Sequence, residues 1–535
     1  MGRLKCSISF VLVLLIANSI LGSTIYAEET KAQKKEMSTT VGEASCSNLS
    51  GKSISKSSIG LRTTGASITS AILTADDKSL DFCKVLGSIH PVDSSAPDIQ
   101  FEVNLPSNWN GKSLQVGGGG FNGSVVTGLD SNFYDPINTP TPLARGYVTF
   151  GSDSGHVSAG WDASWATNDE ALANFAGEQL KKTHDVAMTI IEDYYKMKPS
   201  QTYFSGGSEG GREALVVIQR WPQDYDGAVI FFPTYNWIAK AVQDNRNMQA
   251  LYKNNGEGWI SPEENKHINR IVLQACDSLD GAADGIISNT EACKNKEDQI
   301  LDALSNAGLS DAQIDVIQTY NSPMKFRFSF NNKVDSTAGY SQLQGADIGG
   351  QFGSTFTPKA FSDYGSMSQF SDRVLRYMVT KNPNLDTFTF NPDEWKKEIQ
   401  TASKLLEPSD PNLSAFKALG GKLILVHGTS DEVVTPYGTI KYYHQLENKF
   451  GDKLSEFAQF YMVPGYGHGS GDFNMSADLL GELDGWVATG SEPTDLLTTD
   501  KANNYRTRPL CEFPAWPQYN GIGDVNLAAS YTCSR

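Results

Sequence analysis

Beyond residue 21 the chain lacks any long apolar run, which argues against membrane-spanning helices, each of which needs ~20 consecutive apolar residues. Basic residues are scarce too: 44 Lys and Arg stand against 61 Asp and Glu, for a formal net charge of −17. That balance makes nucleic acid and anionic membranes poor partners. Histidine numbers only seven, so any general base comes from a short roster. No internal repeat is present. What the chain does have is ordinary for a folded protein: 39% hydrophobic, 10% aromatic and 20% charged residues. Its 535 residues exceed one ordinary core and fit two domains, or one domain carrying a large insertion.

The N-terminus is the one apolar exception. Arg3 and Lys5 precede the run at 8–21, and small residues lead to Tyr26-Ala27 before Glu28-Glu29. Basic, apolar and small residues in that order predict a cleaved secretory signal over 1–27, and hence a secreted or periplasmic protein. The competing reading is a membrane anchor, against which Asn18 and Ser19 interrupt a run already short for a span. Loss of Arg3 and Lys5 would take the net charge from −17 to about −19. Cys6 would leave with the signal, so the remaining cysteines are even in number and suggest three disulfides. Their clustering favours Cys46–Cys83, Cys276–Cys293 and Cys511–Cys533.

Residues 28–45 read as a flexible polar leader. Short β-rich runs follow at 99–105, 113–116 and 146–150, then a helical pattern over 169–195 that stops before Pro199. A strand at 201–205, a glycine-rich turn, a helix at 212–220 and a buried strand at 227–232 continue the alternation of a parallel α/β sheet. Between about 240 and 415 helices and Asn- and Ser-rich loops replace that rhythm. It resumes with strands at 422–426 and 457–463 and helices near 436–449 and 474–488. The expected fold class is α/β: an α/β-hydrolase core formed by 46–240 and 416–535, split by a lid domain over 241–415.

Gly206-Gly207-Ser208-Glu209-Gly210 fits G-x-S-x-G between a predicted strand and a predicted helix. That context exposes a serine hydroxyl on a sharp turn beside a helix N-terminus, as a nucleophile elbow requires. A serine needs a base. His90 and His267 lack the context expected of a base, His184 and His444 fall within helices that favour a structural reading, and His156 reads as a substrate-loop residue. His468 follows the strand ending at Val463, and Asp431 follows the strand that His427 closes. The order Ser208, Asp431, His468 is nucleophile, acid, base, each just past a strand. The amides of Glu209 and of Gly119, within the glycine run 117–120, are the expected oxyanion donors.

A second constellation is Asp277-Ser-Leu-Asp280-Gly-Ala-Ala-Asp284-Gly-Ile286. The side chains of Asp277, Asp280 and Asp284 with the carbonyls of Ala282 and Ile286 supply the hard oxygens that Ca²⁺ takes. The loop has neither the spacing nor the terminal Glu of an EF-hand, and an acidic solvent-facing turn is the competing reading. Cys276 and Cys293 flank it, so a structural calcium far from the chemistry is expected.

These segments, Tyr203-Phe-Ser-Gly-Gly-Ser208-Glu-Gly-Gly-Arg-Glu213, the 277–286 loop, His427-Gly-Thr-Ser-Asp431 and Val463-Pro-Gly-Tyr-Gly-His468, resemble the tannase and feruloyl esterase family over nearly all of the mature chain. The resemblance implies an α/β-hydrolase core, a calcium-binding lid and hydrolysis of small esters of aromatic acids. It also exposes a departure: the family's paired cysteines beside the nucleophile and the base correspond here to Gly207 and Gly469. Cysteines introduced at both glycines are expected to form a stabilising cross-link. Phe352, Phe356, Phe361, Tyr364 and Phe370 are candidates for an acyl pocket under the lid, with packing of the lid's own core as the equal competing reading, and Arg373 and Arg376 lie nearby in sequence. The alternatives are an esterase of aliphatic hydroxyacid oligomers, a serine peptidase and, from another class, a non-catalytic secreted calcium-binding protein.

Overall fold

Residues 228–231 and 423–426 are uninterrupted apolar runs, the pattern of strands covered on both faces. Residues 45–535, apart from 77, 78 and 131–133, are described by a computed structural model. The expected signal lies outside the described residues, as does the expected leader except for Ser45. The runs fall within a ten-stranded sheet. Its strands are β1 (Ser53–Ile54), β2 (Gly65–Asp76), β3 (Ser79–His90), β4 (Ile99–Pro106), β5 (Lys112–Val116), β6 (Val148–Ser152), β7 (Gln201–Gly207), β8 (Gly227–Phe231), β9 (Lys422–Gly428) and β10 (Ala458–Val463).

Their spatial order is β1-β2-β3-β4-β6-β5-β7-β8-β9-β10. Pairing is antiparallel from β1 to β6 and parallel from β6 to β10. This is the expected α/β class. The helices used below are α1 (Gln179–Tyr195), α2 (Glu209–Arg220), α3 (Trp237–Gly256), α4 (Pro262–Cys276), α5 (Lys396–Leu406), α6 (Pro436–Phe450) and α7 (Leu479–Thr489). Alternate residues of the parallel strands point to opposite faces. Phe204, Ala228, Ile230 and Leu425 pack with Leu215 of α2 and Leu446 of α6. Tyr203, Val229, Phe231 and Val426 pack with Leu480, Leu483 and Trp486 of α7. Each strand is thereby buried twice.

Between β8 and β9 the chain leaves the sheet and forms α3, α4, α5, further helices and a pair of two-residue strands. Part of this segment has a core of its own around Leu251, Ile268, Val272, Ile317 and Tyr320. Another part shares one core with the connection between β5 and β6 and with the helical turn before α1, where Phe121 and Phe175 meet Trp237 and Phe370. The helical pattern at 169–195 is not one helix. It breaks at Gly177, whose φ of 140° lies in the left-handed region, and α1 begins after that break. Disulfides join Cys46 to Cys83, Cys276 to Cys293 and Cys511 to Cys533. Among the described residues no helix is long and apolar enough to cross a membrane.

Candidate active site

β7 ends at Gly207 and α2 begins at Glu209, so Ser208 carries the whole change of direction. Its φ of 60° and ψ of −115° are costly for a residue with a side chain, and the neighbourhood enforces them. The Ser208 amide donates to the Phe231 carbonyl at 3.1 Å, and the Ser208 carbonyl accepts from the amides of Arg212 at 3.0 Å and Thr234 at 3.2 Å. The flanking glycines are required by space. A Cβ on Gly206 would lie 2.5 Å from the Gly210 carbonyl oxygen, and one on Gly210 would lie 2.7 Å from that of Gly118.

Asp431 follows β9 and is fully buried. Its Oδ1 accepts from the amides of Val433 at 2.8 Å and Val434 at 2.7 Å, and its Oδ2 accepts from His468 Nδ1 at 2.9 Å. Burial by itself would raise this carboxyl. The charge of His468 and the hydrogen bonds of His427 and His468 outweigh it and hold the group well below the ordinary carboxylate range. His427 was passed over in the sequence as the residue closing a strand. Its Nε2 lies 3.2 Å from Asp431 Oδ2 and 2.9 Å from the Val434 carbonyl, while Nδ1 faces Thr439 Oγ1 at 2.8 Å. A carbonyl only accepts, so Nε2 carries the proton and the buried ring also donates toward the acid.

His468 lies just past β10 on a turn whose backbone is held by Glu432, which accepts the His468 amide at 3.1 Å. With Nδ1 committed to Asp431, Nε2 is the nitrogen left for chemistry. The ring sits 4.4 Å from that of Phe232. Ser208 and His468 line one cavity of about 920 Å³, together with the 117–119 glycines, Tyr134, Phe232 and Lys501. The three residues expected as a triad thus converge: Asp431 is bonded to His468, and His468 shares a cavity with Ser208.

The glycine run reaches that cavity under tight control. Gly117 donates its amide to the Ser205 carbonyl at 2.9 Å, Gly118 donates to Glu213 Oε2 at 2.9 Å, and the Gly118 carbonyl accepts from Gly210 at 2.9 Å. Gly119 is the first of the run whose amide has no such partner among the described residues. Glu209 is the first residue of α2, where a helix leaves its amide without an intrahelical acceptor. The Glu209 side chain turns away into the core, where Arg212 Nε donates to it at 2.8 Å. Arg212 is anchored in turn by the carbonyls of Phe175 at 2.7 Å and Leu406 at 3.0 Å.

Several expectations need correction. His156 is no substrate-loop residue: it is fully buried, stacked on Trp165 at 3.6 Å, with Nε2 2.9 Å from the Phe121 carbonyl. Phe352, Phe356, Phe361, Tyr364 and Phe370 do not line the cavity that holds Ser208. Phe352 and Phe370 belong to apolar cores, and Phe361 stacks under the Arg373 guanidinium at 3.9 Å. Arg376 pairs with Asp372 at 2.8 Å. A cysteine at 207 would require Tyr134 and Phe232 to shift, because a Cβ there would lie 2.1 Å from the Tyr134 hydroxyl and 2.9 Å from Phe232 Cε2, and Gly469 has a φ of 95° that disfavours any side chain.

The acidic loop is not remote either. A Cβ on Gly465, in the turn that carries His468, would lie 3.2 Å from Ile286 Cγ2. Within the loop Asp277 accepts from the Gly285 amide at 3.0 Å, and Asp280 accepts from those of Ala282 and Ser288, both at 3.0 Å. Asp284 accepts from Ile286 at 3.1 Å and from the Tyr531 hydroxyl at 3.0 Å, and it pairs with Arg508. Burial, with the Asp284 charge adding to it, raises the Asp277 and Asp280 carboxyls above their ordinary value. Among the described residues no cluster of three or more His, Cys, Asp or Glu side chains is drawn together tightly enough to hold a metal unaided. The hard oxygens of the loop suit calcium in kind, and closing a site would take backbone carbonyls as well.

A family model described as tannase and feruloyl esterase matches residues 83–534. The chain is 37% identical over 514 residues to a protein of Agrobacterium fabrum named an uncharacterized esterase, covering 91% of this chain and 93% of that one. It is 27% identical over 453 residues to a probable feruloyl esterase of Arthroderma benhamiae, covering 81% of each. In fold it matches the crystal structure of feruloyl esterase B from Aspergillus oryzae with a TM-score of 0.74, at 22% identity, over 92% of this chain and 100% of the other. With that match spanning the sheet from within β3 to β10, the serine turn and the acidic loop alike, the chain belongs to the tannase and feruloyl esterase family.

Proposed function

We propose that this carboxylic ester hydrolase works through an acyl-serine intermediate, with Ser208 as nucleophile, His468 as base and Asp431 as its orienting acid. One observation carries the reading: a buried carboxylate fixes Nδ1 of a histidine whose ring shares a cavity with a serine held at positive φ. In the first half-reaction Ser208 Oγ attacks the acyl carbon, and His468 Nε2 takes its proton and delivers one to the departing alcohol. In the second half-reaction water repeats the sequence and releases the acid. The amides of Glu209 and Gly119 stabilise the oxyanion of each tetrahedral intermediate.

An aromatic acyl group such as a hydroxycinnamate or gallate is the proposed substrate class. The relatives named as feruloyl esterases support it, as does a cavity volume at the upper end of small-molecule sites. The helical segment between β8 and β9 serves as the lid domain. Secretion is proposed from the N-terminal pattern and agrees with three disulfides. We further propose that Asp277, Asp280, Asp284 and the carbonyls of Ala282 and Ile286 hold a structural calcium. Gly207 and Gly469 leave the nucleophile and base turns of this family member without a covalent link to each other.

A fluorophosphonate probe is expected to label Ser208 in the folded protein, and Ser208→Ala is expected to abolish labelling and lower turnover by on the order of 10⁶. Folded protein that resists the probe would return the chain to the non-catalytic calcium-binding alternative. Initial rates on methyl ferulate, methyl gallate, chlorogenate, a terephthalate monoester and hydroxybutyrate oligomers then rank the acyl groups. Preference for the last would overturn the aromatic assignment alone.

A further inference from the structure

One side chain on the wall of the catalytic cavity has no part in the reaction above. Tyr134 comes from the long connection between β5 and β6, and its hydroxyl stands where a side chain of residue 207 would begin. A Cβ on Gly207 would lie 2.1 Å from the Tyr134 hydroxyl oxygen, 2.9 Å from Phe232 Cε2 and 3.0 Å from the ring carbon that bears the hydroxyl. Gly207 is not among the positive-φ glycines, so space rather than backbone conformation is what a side chain there would contest.

The ring reaches the catalytic arrangement through Phe231 and Phe232. It stacks on Phe231, whose carbonyl accepts the Ser208 amide, with centroids 3.6 Å apart and planes 21° from parallel. It meets Phe232 edge-on at 5.7 Å, and Phe232 in turn packs on the His468 ring at 4.4 Å. The Tyr134 carbonyl accepts the Ala477 amide at 3.0 Å, tying its own backbone to the segment beyond the base. Burial first, and the Asp431 charge second, push the phenol up, so the group remains a neutral hydroxyl.

We propose that Tyr134 is a positioning residue that fills the side-chain place of residue 207 and braces the Ser208 turn against the His468 turn, with Gly207 and Tyr134 forming a sterically matched pair. The inference rests on the assignment of Ser208 as nucleophile. A misplacement of about 1 Å between nucleophile and base can cost on the order of 10²-fold in rate, so the brace affects turnover more than binding.

The test is a double-mutant cycle on the full chain: Gly207→Ala, Tyr134→Phe and both together, with Tyr134→Ala alongside. Each variant is read by kcat and KM on one ester, by the rate of Ser208 phosphonylation and by melting temperature. Gly207→Ala is expected to lower kcat and the labelling rate by at least about tenfold with KM little changed, because the new methyl displaces the hydroxyl and the turns with it. Combined with Gly207→Ala, Tyr134→Phe should restore part of the rate that Gly207→Ala alone loses, since the atom at 2.1 Å is gone while Phe232 Cε2 stays at 2.9 Å. Tyr134→Ala, which removes the brace, should lower kcat without a matching rise in KM. Full activity in Gly207→Ala, or a double variant as impaired as the single one, overturns the proposal. Should Gly207→Ala fail to fold, a folded and active double variant supports the pairing, and an unfolded one refutes it. Wild-type protein that is not labelled at Ser208 defeats the functional assignment itself, a result distinct from any pattern among the variants.

Discussion

Glu213 bears on the proposed oxyanion hole from outside the cavity that holds Ser208. Its Oε2 accepts the Gly118 amide at 2.9 Å and its Oε1 accepts Gln179 Nε2 at 2.7 Å, with Ser154 Oγ more distant at 3.5 Å. The carboxylate is therefore an acceptor on both sides. Glu213→Gln keeps the volume but turns one side into a donor that faces another donor, either Gly118 or Gln179. The glycine run should then shift, and kcat should fall by roughly 10–100-fold, in the range of a damaged oxyanion hole. Steady-state kinetics on the purified variant decide it, and an unchanged kcat would detach Glu213 from the oxyanion loop. At this scale Ser208, Asp431 and His468 were legible because each follows a strand, and a strand's carboxyl end fixes where its next residue lies. Glu213, His427 and Tyr134 were not. A glutamate on a helix reads as a solvated charge, a histidine at a strand end reads as structural, and a tyrosine in a connection without periodicity carries no positional signal.

Helix α3 enters the inserted segment with a carboxylate at its head. Glu407, beyond the end of α5, accepts the amides of Ile238 and Ala239, both at 2.9 Å, and also the Ser403 hydroxyl. Burial raises its carboxyl to about 7, against these hydrogen bonds, which favour the charged form. An unfolded chain releases that proton near ~4.3. Below that pH both states hold it. Between ~4.3 and about 7 the folded state keeps a proton that the unfolded state has lost, so this group's contribution to stability falls as pH rises through the window and then levels off. Glu407→Gln cannot titrate, so urea midpoints at pH 5 and pH 8 should differ less in the variant than in wild type. Equal slopes in the two proteins would assign the pH dependence to other groups. Among the elements, the parallel strands were readable as short apolar runs. The long strands β2 and β3 were not, since register shifts near Ile68 and Thr74 break the period of two. The 169–195 pattern concealed its break because the apolar spacing continues through Gly177.

Across the whole molecule the acidic loop is a junction. Asp284 meets Arg508 and Tyr531 from the C-terminal strands, Gln518 donates to the Asp280 carbonyl, and Ile286 packs in the core that also holds Val463 and Tyr466. A bound calcium there would join the inserted segment, the chain terminus and the base turn. Chelation is therefore expected to lower the melting temperature reversibly, by the equivalent of ~2.7 kcal/mol if the ion was present at a hundred times its dissociation constant. Activity should also fall below the melting transition, because the loop abuts the turn that carries His468. Differential scanning fluorimetry with a chelator and then excess calcium checks both, and an indifferent melting curve would leave the loop to Arg508 alone. The loop's composition was readable in the sequence; its neighbours were not, since Arg508 and Tyr531 come from far along the chain.

The placement of β8 beside β9 has a consequence for how the protein is made. Gly227 pairs with Lys422 and Phe231 with Val426, so the centre of the sheet cannot close until the whole inserted segment has been synthesised. Pairings so distant in sequence form slowly. The serine turn emerges from the ribosome before the inserted segment, and the carboxylate and imidazole proposed to arm it emerge after that segment. If Ser208 is the nucleophile, a growing chain, or one truncated before His468, would carry it without its proposed base.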